Sequence, residues 1–287
     1  YTTLFRSLTA DDIGFGIGPR INAAGRMDDA RPAVELLLAD SEEAADALAE
    51  QLDDYNRERK AVVDQIAAEA CAEIDRFPEE EKKVLVIARE NWHEGVVGIA
   101  ASRIVETFYR PTIILSIDPE SGLAKGSARS IDGFDIYKAL SRCRDLLIRF
   151  GGHEMAAGMT LSADDIPELS ARLNAYAADT LSEADFQPAL RVDLCATIGE
   201  VTVSLLETLE RLAPFGVGNP KPRIAVRGSA LAEIKQIGSD KNHLKMVIKD
   251  GDAVLEGVAF KKGELYYHID PDAALTVVGA LSINDWN

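Results

Sequence analysis

Apolar residues recur at helical spacing through residues 40–77. No proline or glycine interrupts this stretch, and Asp40 and Glu43 have the spacing of a capping box. The apolar positions that repeat every three to five residues or so include Leu48, Leu52, Tyr55, Val62, Ile66 and Cys71. The pattern predicts one long helix of roughly 50 Å, at about 1.5 Å per residue. A short helix is predicted before it over "RPAVELLLA", with Pro32 in the first turn, where its missing N–H does no harm.

Residues 82–182 alternate apolar runs with amphipathic segments, as an α/β domain does. The first three segments are a strand, a helix and a strand, over "KVLVIARE", "HEGVVGIAASRIVETFY" and "RPTIILSID". This order predicts a parallel pair joined by a crossover helix. Further strands are predicted over "GLAKGSARS" and "MAAGMTLS", and further helices over "DIYKALSRCRDLLIRF" and "DIPELSARLNAYAADTL". The sequence therefore predicts an α/β fold with a mixed sheet.

Residues 188–287 have a different pattern. Short β-rich segments alternate here with Gly, Lys and Asp turns, over "RIAVRGSALAEIKQIG", "HLKMVIKDG", "VLEGVAF" and "ALTVVGALSIN". One helix, over "SLLETLERLAPF", precedes them. Short strands separated by turns are typical of a small antiparallel barrel of the oligonucleotide-binding (OB) type.

Composition limits the possible partners. The chain has 287 residues, is 47% hydrophobic and carries a net charge of −17. We expect a cytoplasmic protein, because no apolar run is long enough to cross a membrane and the first residues do not resemble a signal peptide. The charge argues against indiscriminate nucleic-acid binding, so any such site must be a local basic pocket. The three cysteines, far apart and odd in number, are predicted to be reduced and buried.

The glycine-rich stretch "GFGIGPRINAAGRMDDAR", residues 14–31, is a candidate phosphate-contacting loop. Its polar side chains include Arg20, Asn22 and Arg26. Arginine forks suit phosphate, and glycines let backbone N–H groups approach an anion. An equally weighted alternative is a solvated loop whose arginines pair with Asp28 and Asp29.

Three other stretches contain groups suited to an anion. "AKGSARS" places Ser127 and Arg129 two residues apart, on one face of an extended strand. "NWHEGVVGIAASR" puts His93 and Glu94 at a predicted helix start, where an anion is favoured, although His93 equally suits a capping role. "RFGGHEMAAG" sets His153 directly behind Gly151 and Gly152, which leave the backbone bare. Taken alone, Ser127 and Arg129 fit an ordinary half-exposed strand.

The remaining candidates give weak signals. No closely spaced His and carboxylate set predicts a metal site, so any metal is expected to be held elsewhere. His243 and His268 are predicted as surface residues. Aromatic and basic residues of the tail that suit base stacking and backbone contact are Tyr266, Tyr267, Trp286, Lys235, Lys241, Lys245 and Lys249. Aromatics at strand spacing are more often core residues.

Together these stretches resemble the RecJ family of single-strand-specific exonucleases, within the DHH phosphoesterase superfamily. The motifs that carry the resemblance, in order, are "IGPRINAAGRM", "WHEGVVGIAASRI", "GSARS", "FGGHEMAAGMTL" and "LAPFGVGNPKP". The GGH-x-x-AAG motif alone is shared by many members of the superfamily. The arginine-rich opening and the barrel that follows the GGH domain are what indicate RecJ.

The resemblance implies four segments and one missing part. Residues 1–39 would end a catalytic DHH domain, 40–77 would be the connecting helix, 82–182 the DHH-associated domain and 188–287 an OB barrel that stops short of its last strand. The DHH motifs that hold two Mn²⁺ or Mg²⁺ ions in the family are absent, so we expect a piece of a longer protein that is inactive alone.

The resemblance also implies roles for the candidate residues. His153 would donate to the scissile phosphate, with Gly151 and Gly152 allowing the loop to approach the DNA backbone. Ser127 and Arg129, with Arg26 or Arg20, would grip the 5′ end of single-stranded DNA. The expected process is 5′-to-3′ degradation in DNA repair and recombination, with single-strand-binding protein and a recombination helicase as partners.

Two alternatives remain open at this point. One is a DHH-family phosphodiesterase for short oligonucleotides or cyclic dinucleotides, whose known members usually end after the GGH domain. The other is a non-catalytic strand-binding module, which the net acidity fits but the joint presence of Ser127, Arg129 and His153 does not.

Overall fold

The computed structural model describes residues 9–283, and the chain divides into two compact units, residues 1–188 and 189–287. The α-helices of the described residues are α1 (Gly18–Met27), α2 (Arg31–Leu38), α3 (Glu42–Ile74), α4 (Val97–Phe108), α5 (Ile136–Ser141), α6 (Ile166–Thr180) and α7 (Val203–Glu210). The strands of unit 1 are β1 (Leu85–Glu90), β2 (Thr112–Asp118), β3 (Leu123–Arg129), β4 (Leu147–His153) and β5 (Ala156–Ser162). Those of unit 2 are β6 (Leu194–Ala196), β7 (Ile224–Ile237), β8 (His243–Asp250), β9 (Ala253–Ala259) and β10 (Leu275–Gly279).

Helix α3 is the predicted long helix, with 33 residues. Its N-cap is Ser41, whose side chain accepts from the backbone N–H of Ala44, so the prediction that Asp40 caps it was wrong by one residue. The first half packs Leu52 against the alanines of α1 and α2. The second half packs its apolar stripe, which includes Val63 and Ile66, on α4 and on strands β1 and β2. One helix thus joins the first two helices to the sheet.

The sheet of unit 1 has five strands in the order β1-β2-β3-β5-β4. Strands β1 and β2 are parallel and connected through α4, and the other pairs are antiparallel. The predicted mixed α/β sheet is therefore confirmed. The helix predicted over "DIYKALSRCRDLLIRF" was partly wrong, because it ends at Ser141 and Leu147 begins edge strand β4. From Arg149 onward β4 alternates, with Phe150 toward the core and Arg149 and Gly151 exposed, and a register shift between Leu147 and Arg149 lets Leu147 face the core as well.

Helices cover the two faces of this sheet unequally. The largest core cluster lies on one face, where α5 and α6 pack on residues of all five strands. On the other face α3 and α4 cover β1 and β2. The outer strands are left open there, with Arg149, Gly158 and His153 exposed. This open half-face is where the candidate site lies.

Unit 2 is a curled sheet in the order β10-β7-β8-β9, with the short β6 parallel to β7. Strand β7 has 14 residues and its pairing with β8 shifts register between Leu231 and Glu233, an irregularity that bends a strand. The core contains Ile224, Val226 and Leu244, among others. The OB-like prediction is confirmed, except that β6 adds a parallel pair.

The three cysteines differ in burial. Cys143 is buried as predicted, but Cys71 is only half-buried and Cys195 is exposed. Within residues 9–283, none of the helices combines the length and the apolar character that a bilayer crossing requires.

Asn174 of α6 fixes the start of β1. The residue is 5% exposed, and its Oδ1 accepts from the backbone N–H groups of Lys83 and Val84 at 3.0 and 2.9 Å. Its Nδ2 donates to the carbonyl oxygens of Val84 and Ser170. One amide side chain thus satisfies the backbone where the sheet begins.

We expect Asn174→Ala to lower the free energy of unfolding by about 2 kcal/mol or more, because it leaves buried N–H groups without an acceptor. Chemical denaturation checks this, with Asp179→Ala at an exposed position of the same helix as the control. A loss no larger than that of the control would contradict the role given to Asn174.

Candidate functional site

The glycine-rich stretch at residues 14–31 is helical, so the predicted loop was wrong. A π-helical turn over Asp12–Ile17 leads into α1, and α2 follows. Ala23 and Ala24 are fully buried, Ala24 packing against Leu52 of α3, and this packing outweighs the low helix propensity of the glycines.

The polar residues of this stretch point to different places. Arg20 forms an ion pair with Asp53 of α3 and donates to the Gly16 carbonyl oxygen, away from the other candidates. The alternative of a solvated loop predicted that its arginines pair with Asp28 and Asp29. Within the described residues only Arg31 does so, with Asp29 at 3.8 Å. Asn22 is exposed and lines the same groove of α1 as Arg26.

Arg26 links α1 to the turn before α4. Its Nη1 donates to the Gly95 carbonyl oxygen at 3.1 Å. Its own carbonyl oxygen lies so near Gly95 that a Cβ there would be only 2.2 Å away. Only glycine permits this approach, so Gly95 brings the Arg26 guanidinium to the sheet.

His93 and Glu94 lie in this turn and not in the helix, which begins at Val97. The Nδ1 atom of His93 accepts from the Gly95 N–H at 3.2 Å within the turn, and no side chain caps the helix, so the capping role was not correct either. Glu94 pairs with Lys125 of β3 at 3.1 Å. Glu94 is therefore engaged in an ion pair, whereas the Nε2 atom of His93 makes no hydrogen bond within the described residues.

Ser127 and Arg129 share the open face of β3 and lie against the first turn of α4. The Arg129 Nη1 donates to Ser127 Oγ at 2.8 Å and to the Ala128 carbonyl oxygen at 2.7 Å. A Cβ on Gly98 would meet Arg129 Nη2 at 2.9 Å and Ser127 Oγ at 3.0 Å, so glycine makes room for both. Partial burial, and secondarily the charge of Arg26, lower the pKa of Arg129.

These groups surround a cavity of about 330 Å³. Its lining includes Arg26, Glu94, Gly98, Lys125, Ser127, Arg129 and Thr160, and the carboxylate of Glu94 is paired with Lys125. Within the described residues, neither Arg26 nor Arg129 has a carboxylate partner, so the cavity combines two uncompensated guanidinium groups with a hydroxyl and the first turn of a helix. These groups are of the kind that suit an anion such as phosphate.

Arg59 of α3 belongs to the same basic cluster and was not among the predicted residues. Burial, then the charges of Arg26 and Arg103, lower the pKa of Arg59. The only sign of this role in the sequence is a basic residue on the face of α3 that lies toward α1 and α4. The prediction for this helix used only its apolar positions, so it missed Arg59.

His153 lies at the exposed end of edge strand β4. Its Nδ1 accepts from the Met155 N–H at 3.3 Å. In a neutral imidazole this contact leaves the proton on Nε2, which then acts as a donor. The ring therefore offers an N–H to a group on the open face.

The two glycines before His153 have different roles. A Cβ on Gly152, whose φ is +154°, would lie 2.2 Å from the Ala156 carbonyl oxygen, so the hairpin requires glycine there. A Cβ on Gly151 would meet nothing within 4 Å. Gly151 is thus bare surface, whereas Gly152 serves the close approach of β4 to β5.

Strand register connects His153 to the cavity. Gly151 pairs with Gly158, which pairs with Ser127, and His153 pairs with Ala156, which pairs with Arg129. Residues paired across a sheet share a face, and two strand spacings separate the ends of each row by about 10 Å. A smooth strip of two glycines therefore runs from Ser127 to the sheet edge beside His153.

The tail of the chain contributes less than its composition indicated. Lys235 pairs with Glu233 at 3.1 Å and Lys245 with Glu256 at 2.8 Å, so these lysines are already neutralised. The Nδ1 atom of His243 accepts from the Lys261 N–H, which gives this half-buried residue a structural role.

The aromatic residues of the tail divide by position. Tyr266 and Tyr267 are exposed, with rings 5.3 Å apart, while Trp286 lies outside the described residues. Among the described residues no group of three or more His, Cys, Asp or Glu side chains could hold a metal ion.

Two family models match the chain. The DHHA1 domain matches residues 81–179 and the RecJ OB domain matches residues 192–287. The open-faced sheet lies in the segment that matches the DHHA1 domain, and the curled sheet lies in the segment that matches the RecJ OB domain.

Comparison with individual proteins gives the particular relationship. The chain is 45% identical over 277 residues to the single-stranded-DNA-specific exonuclease RecJ of Bacillus subtilis, covering 96% of this chain and 35% of that protein. It is 34% identical over 281 residues to the RecJ of Thermus thermophilus, covering 97% and 38%. The crystal structure of Thermus thermophilus RecJ in complex with Mg²⁺ superposes with a TM-score of 0.80 at 33% identity, over 97% of this chain and 42% of that one. The chain thus spans about a third to a half of the length of the RecJ proteins that it matches.

The glycines at positions 95 and 98 should respond differently to an added methyl group. We expect Gly95→Ala to cost about 1–3 kcal/mol of unfolding free energy, because the new Cβ meets backbone that cannot move aside. Gly98→Ala meets only the ends of two side chains, so it should cost less than about 0.5 kcal/mol in stability. Chemical denaturation of both variants checks this, and equal losses would mean that the approach of Arg26 to Gly95 does not hold the site.

Proposed function

We propose that this chain is the substrate-binding part of a metal-dependent 5′-to-3′ single-stranded DNA exonuclease of the RecJ type. The observation that supports it best is the cavity where Arg26, Ser127 and Arg129 meet the first turn of α4. Neither arginine forms an ion pair within the described residues, because the carboxylate in the lining, Glu94, pairs with Lys125. The similarity to RecJ over nearly the whole chain supports the substrate class.

The cavity would bind the terminal 5′ phosphate of the strand. Arg129 is held by Ser127 and a backbone carbonyl group, so one edge of its guanidinium is fixed while Nη2 faces the cavity side of Gly98. A terminal phosphate carries more charge than an internucleotide one, and grouped guanidinium donors favour it. Holding the 5′ end would set the direction of degradation.

The glycine strip would carry the backbone of the strand toward His153. Gly158 and Gly151 project no side chains, so a sugar–phosphate chain lies against flat sheet between Ser127 and the edge. The Nε2–H of His153 would donate to a non-bridging oxygen of the scissile phosphate. A fixed donor placed where negative charge develops lowers the barrier to hydrolysis. Asn22, exposed beside Arg26, stays in the proposed interface, whereas Arg20 would first have to leave Asp53.

Mn²⁺ or Mg²⁺ would be held by a part of the longer protein outside this chain. The described residues do not form a metal site, and RecJ of Thermus thermophilus has been solved with each of these ions. Bound divalent ions in such nucleases activate water and stabilise the leaving oxygen. The residues of this chain would bind the strand, orient it and neutralise charge.

Unit 2 would hold single-stranded nucleic acid as OB domains do, and we propose single-strand-binding protein and a recombination helicase as partners in cytoplasmic DNA repair and recombination. The presence of this unit weighs against an enzyme for short oligonucleotides or cyclic dinucleotides, which has little use for a second strand-binding surface.

Nuclease activity tests the role of His153. In the full-length protein with Mn²⁺ and a 5′-phosphorylated single strand, we expect His153→Ala to lower the rate at least about tenfold, or 1.4 kcal/mol of transition-state stabilisation. His268→Ala, at an exposed histidine of unit 2, should leave the rate unchanged. An unaffected His153→Ala enzyme would remove this residue from the site, and a protein that degrades only dinucleotides or nothing would favour one of the alternative functions.

Substrate preference tests the cavity. We expect Arg129→Gln and Ser127→Ala to reduce the preference in kcat/KM for a 5′-phosphate over a 5′-hydroxyl strand by roughly tenfold, since a hydrogen bond to a charged group contributes about 1.5–3 kcal/mol. Ser141→Ala, exposed on α5, is the matched control. If both substrates slow equally, these residues contact the backbone and not its terminal phosphate.

A further inference from the structure

Arg59 lies in helix α3, which is rich in acidic residues, but within the described residues Arg59 itself has no acidic partner. Its Nη2 donates to Asn56 Oδ1 at 3.0 Å, and its buried Nε finds no acceptor in the described part of the chain. By contrast Arg57, two positions away, is exposed and pairs with Asp54. A carboxylate is thus available on this helix, but none of the described ones reaches Arg59.

The position held by Arg59 is unfavourable for the folded chain alone. Its neighbours Arg26 and Arg103 repel it, and of these only Arg103 is neutralised, by Asp64 of α3. A buried donor without an acceptor and a like charge nearby both destabilise a fold. An arginine with a purely structural role is expected to donate its hydrogen bonds to a carboxylate or a carbonyl group.

Asn56 gives Arg59 a fixed orientation without cancelling its charge. Asn56 is 4% exposed, and its amide is a neutral acceptor. A carboxylate at this position would neutralise the guanidinium, whereas an amide leaves it available to an outside anion. The same arrangement occurs at Arg129, which is held by a hydroxyl and a carbonyl group, and at Arg26, which is held by a carbonyl group.

The three arginines lie on three different elements. Arg129 is on β3, Arg26 is near the end of α1 and bonded to the turn before α4, and Arg59 is on α3 and bonded to Asn56. Arg26 and Arg129 line the cavity, and the charge of Arg26 lowers the pKa of both Arg59 and Arg129. Such an array suits successive phosphates of a strand better than a single anion.

We propose that Arg59 is a substrate-binding residue that contacts a second phosphate of the strand, next to the one at Ser127 and Arg129, with Arg26 between the two. This inference rests on the proposed function, because it uses the same strand and the same cavity. The competing occupant is a carboxylate from a part of the longer protein outside this chain, which would make Arg59 a structural residue.

Strand binding by the full-length protein tests the inference without turnover. Fluorescence anisotropy in EDTA would compare Arg59→Gln, which keeps a polar side chain near Asn56, with Arg57→Gln as the control. We expect Arg59→Gln to weaken binding of a 5′-phosphorylated oligothymidylate at least about fivefold and to reduce the slope of log K against log salt by about 0.7, the value for one phosphate of a single strand. Arg57→Gln should change neither.

A neutral linkage identifies the phosphate. A methylphosphonate at the first internucleotide position should weaken binding by the wild type but not by Arg59→Gln, because the contact is already lost. The unfolding midpoint of Arg59→Gln should not fall, since the substitution removes an unpaired charge beside Arg26.

The outcomes separate this inference from the proposed function. Normal affinity and salt slope in Arg59→Gln, or a lowered unfolding midpoint with an unchanged slope, would overturn the inference. If Arg129→Gln weakens binding while Arg59→Gln does not, only the second subsite fails. If neither variant changes binding, the proposed cavity itself is wrong.

Discussion

The candidate site depends on one close contact between backbone segments, the approach of the Arg26 carbonyl oxygen to Gly95. Any side chain at position 95 would separate the end of α1 from the turn that precedes α4. Because the contact is made, the Arg26 side chain bonds to the Gly95 carbonyl oxygen and its charge reaches Arg129. Helix α3 makes the approach possible, since it packs on both the first two helices and the sheet. Without this contact, α1 and the half-open sheet would not form a common site.

Charge would give the proposed site its selectivity. Residues 1–188 contain 35 Asp and Glu against 20 Lys and Arg, so the body that carries the site repels polyanions in general. The three arginines without carboxylates act only over short distances, because salt screens exposed charges beyond about 10 Å. The proposed strand would therefore be attracted only when its phosphates reach the cavity and the strip beside it. The acidity that argues against indiscriminate binding is compatible with a local, end-specific site.

Some of this could be predicted from sequence because the signals are local. The apolar period over residues 40–77 and the strand–helix–strand order after it depend on neighbours in the chain, and both appear in the structure. The helical structure of residues 14–31 was not predicted, because the four glycines of this stretch indicated a loop. The stretch is helical because Ala23 and Ala24 are buried. Arg59 was missed for a related reason. Nothing in the sequence of α3 distinguishes Arg59 from Arg57. The difference comes from Arg26 and Arg103, which are distant in the chain but whose charges act on Arg59.

The rows across the sheet could not be predicted either, although Ser127, Arg129, Gly151 and His153 were all candidates. Ser127 and His153 lie 26 positions apart, and they share a face only because β5 is inserted between β3 and β4 with glycine opposite glycine. A shift of one residue in either pairing would turn His153 toward the core and place Gly152, which must approach Ala156 closely, on the open face. The hairpin geometry at Gly152 opposes that shift, since no other residue fits there. The same glycine pair therefore does two things: Gly152 fixes the register that aims His153, and Gly151 keeps clear the surface over which a strand would pass.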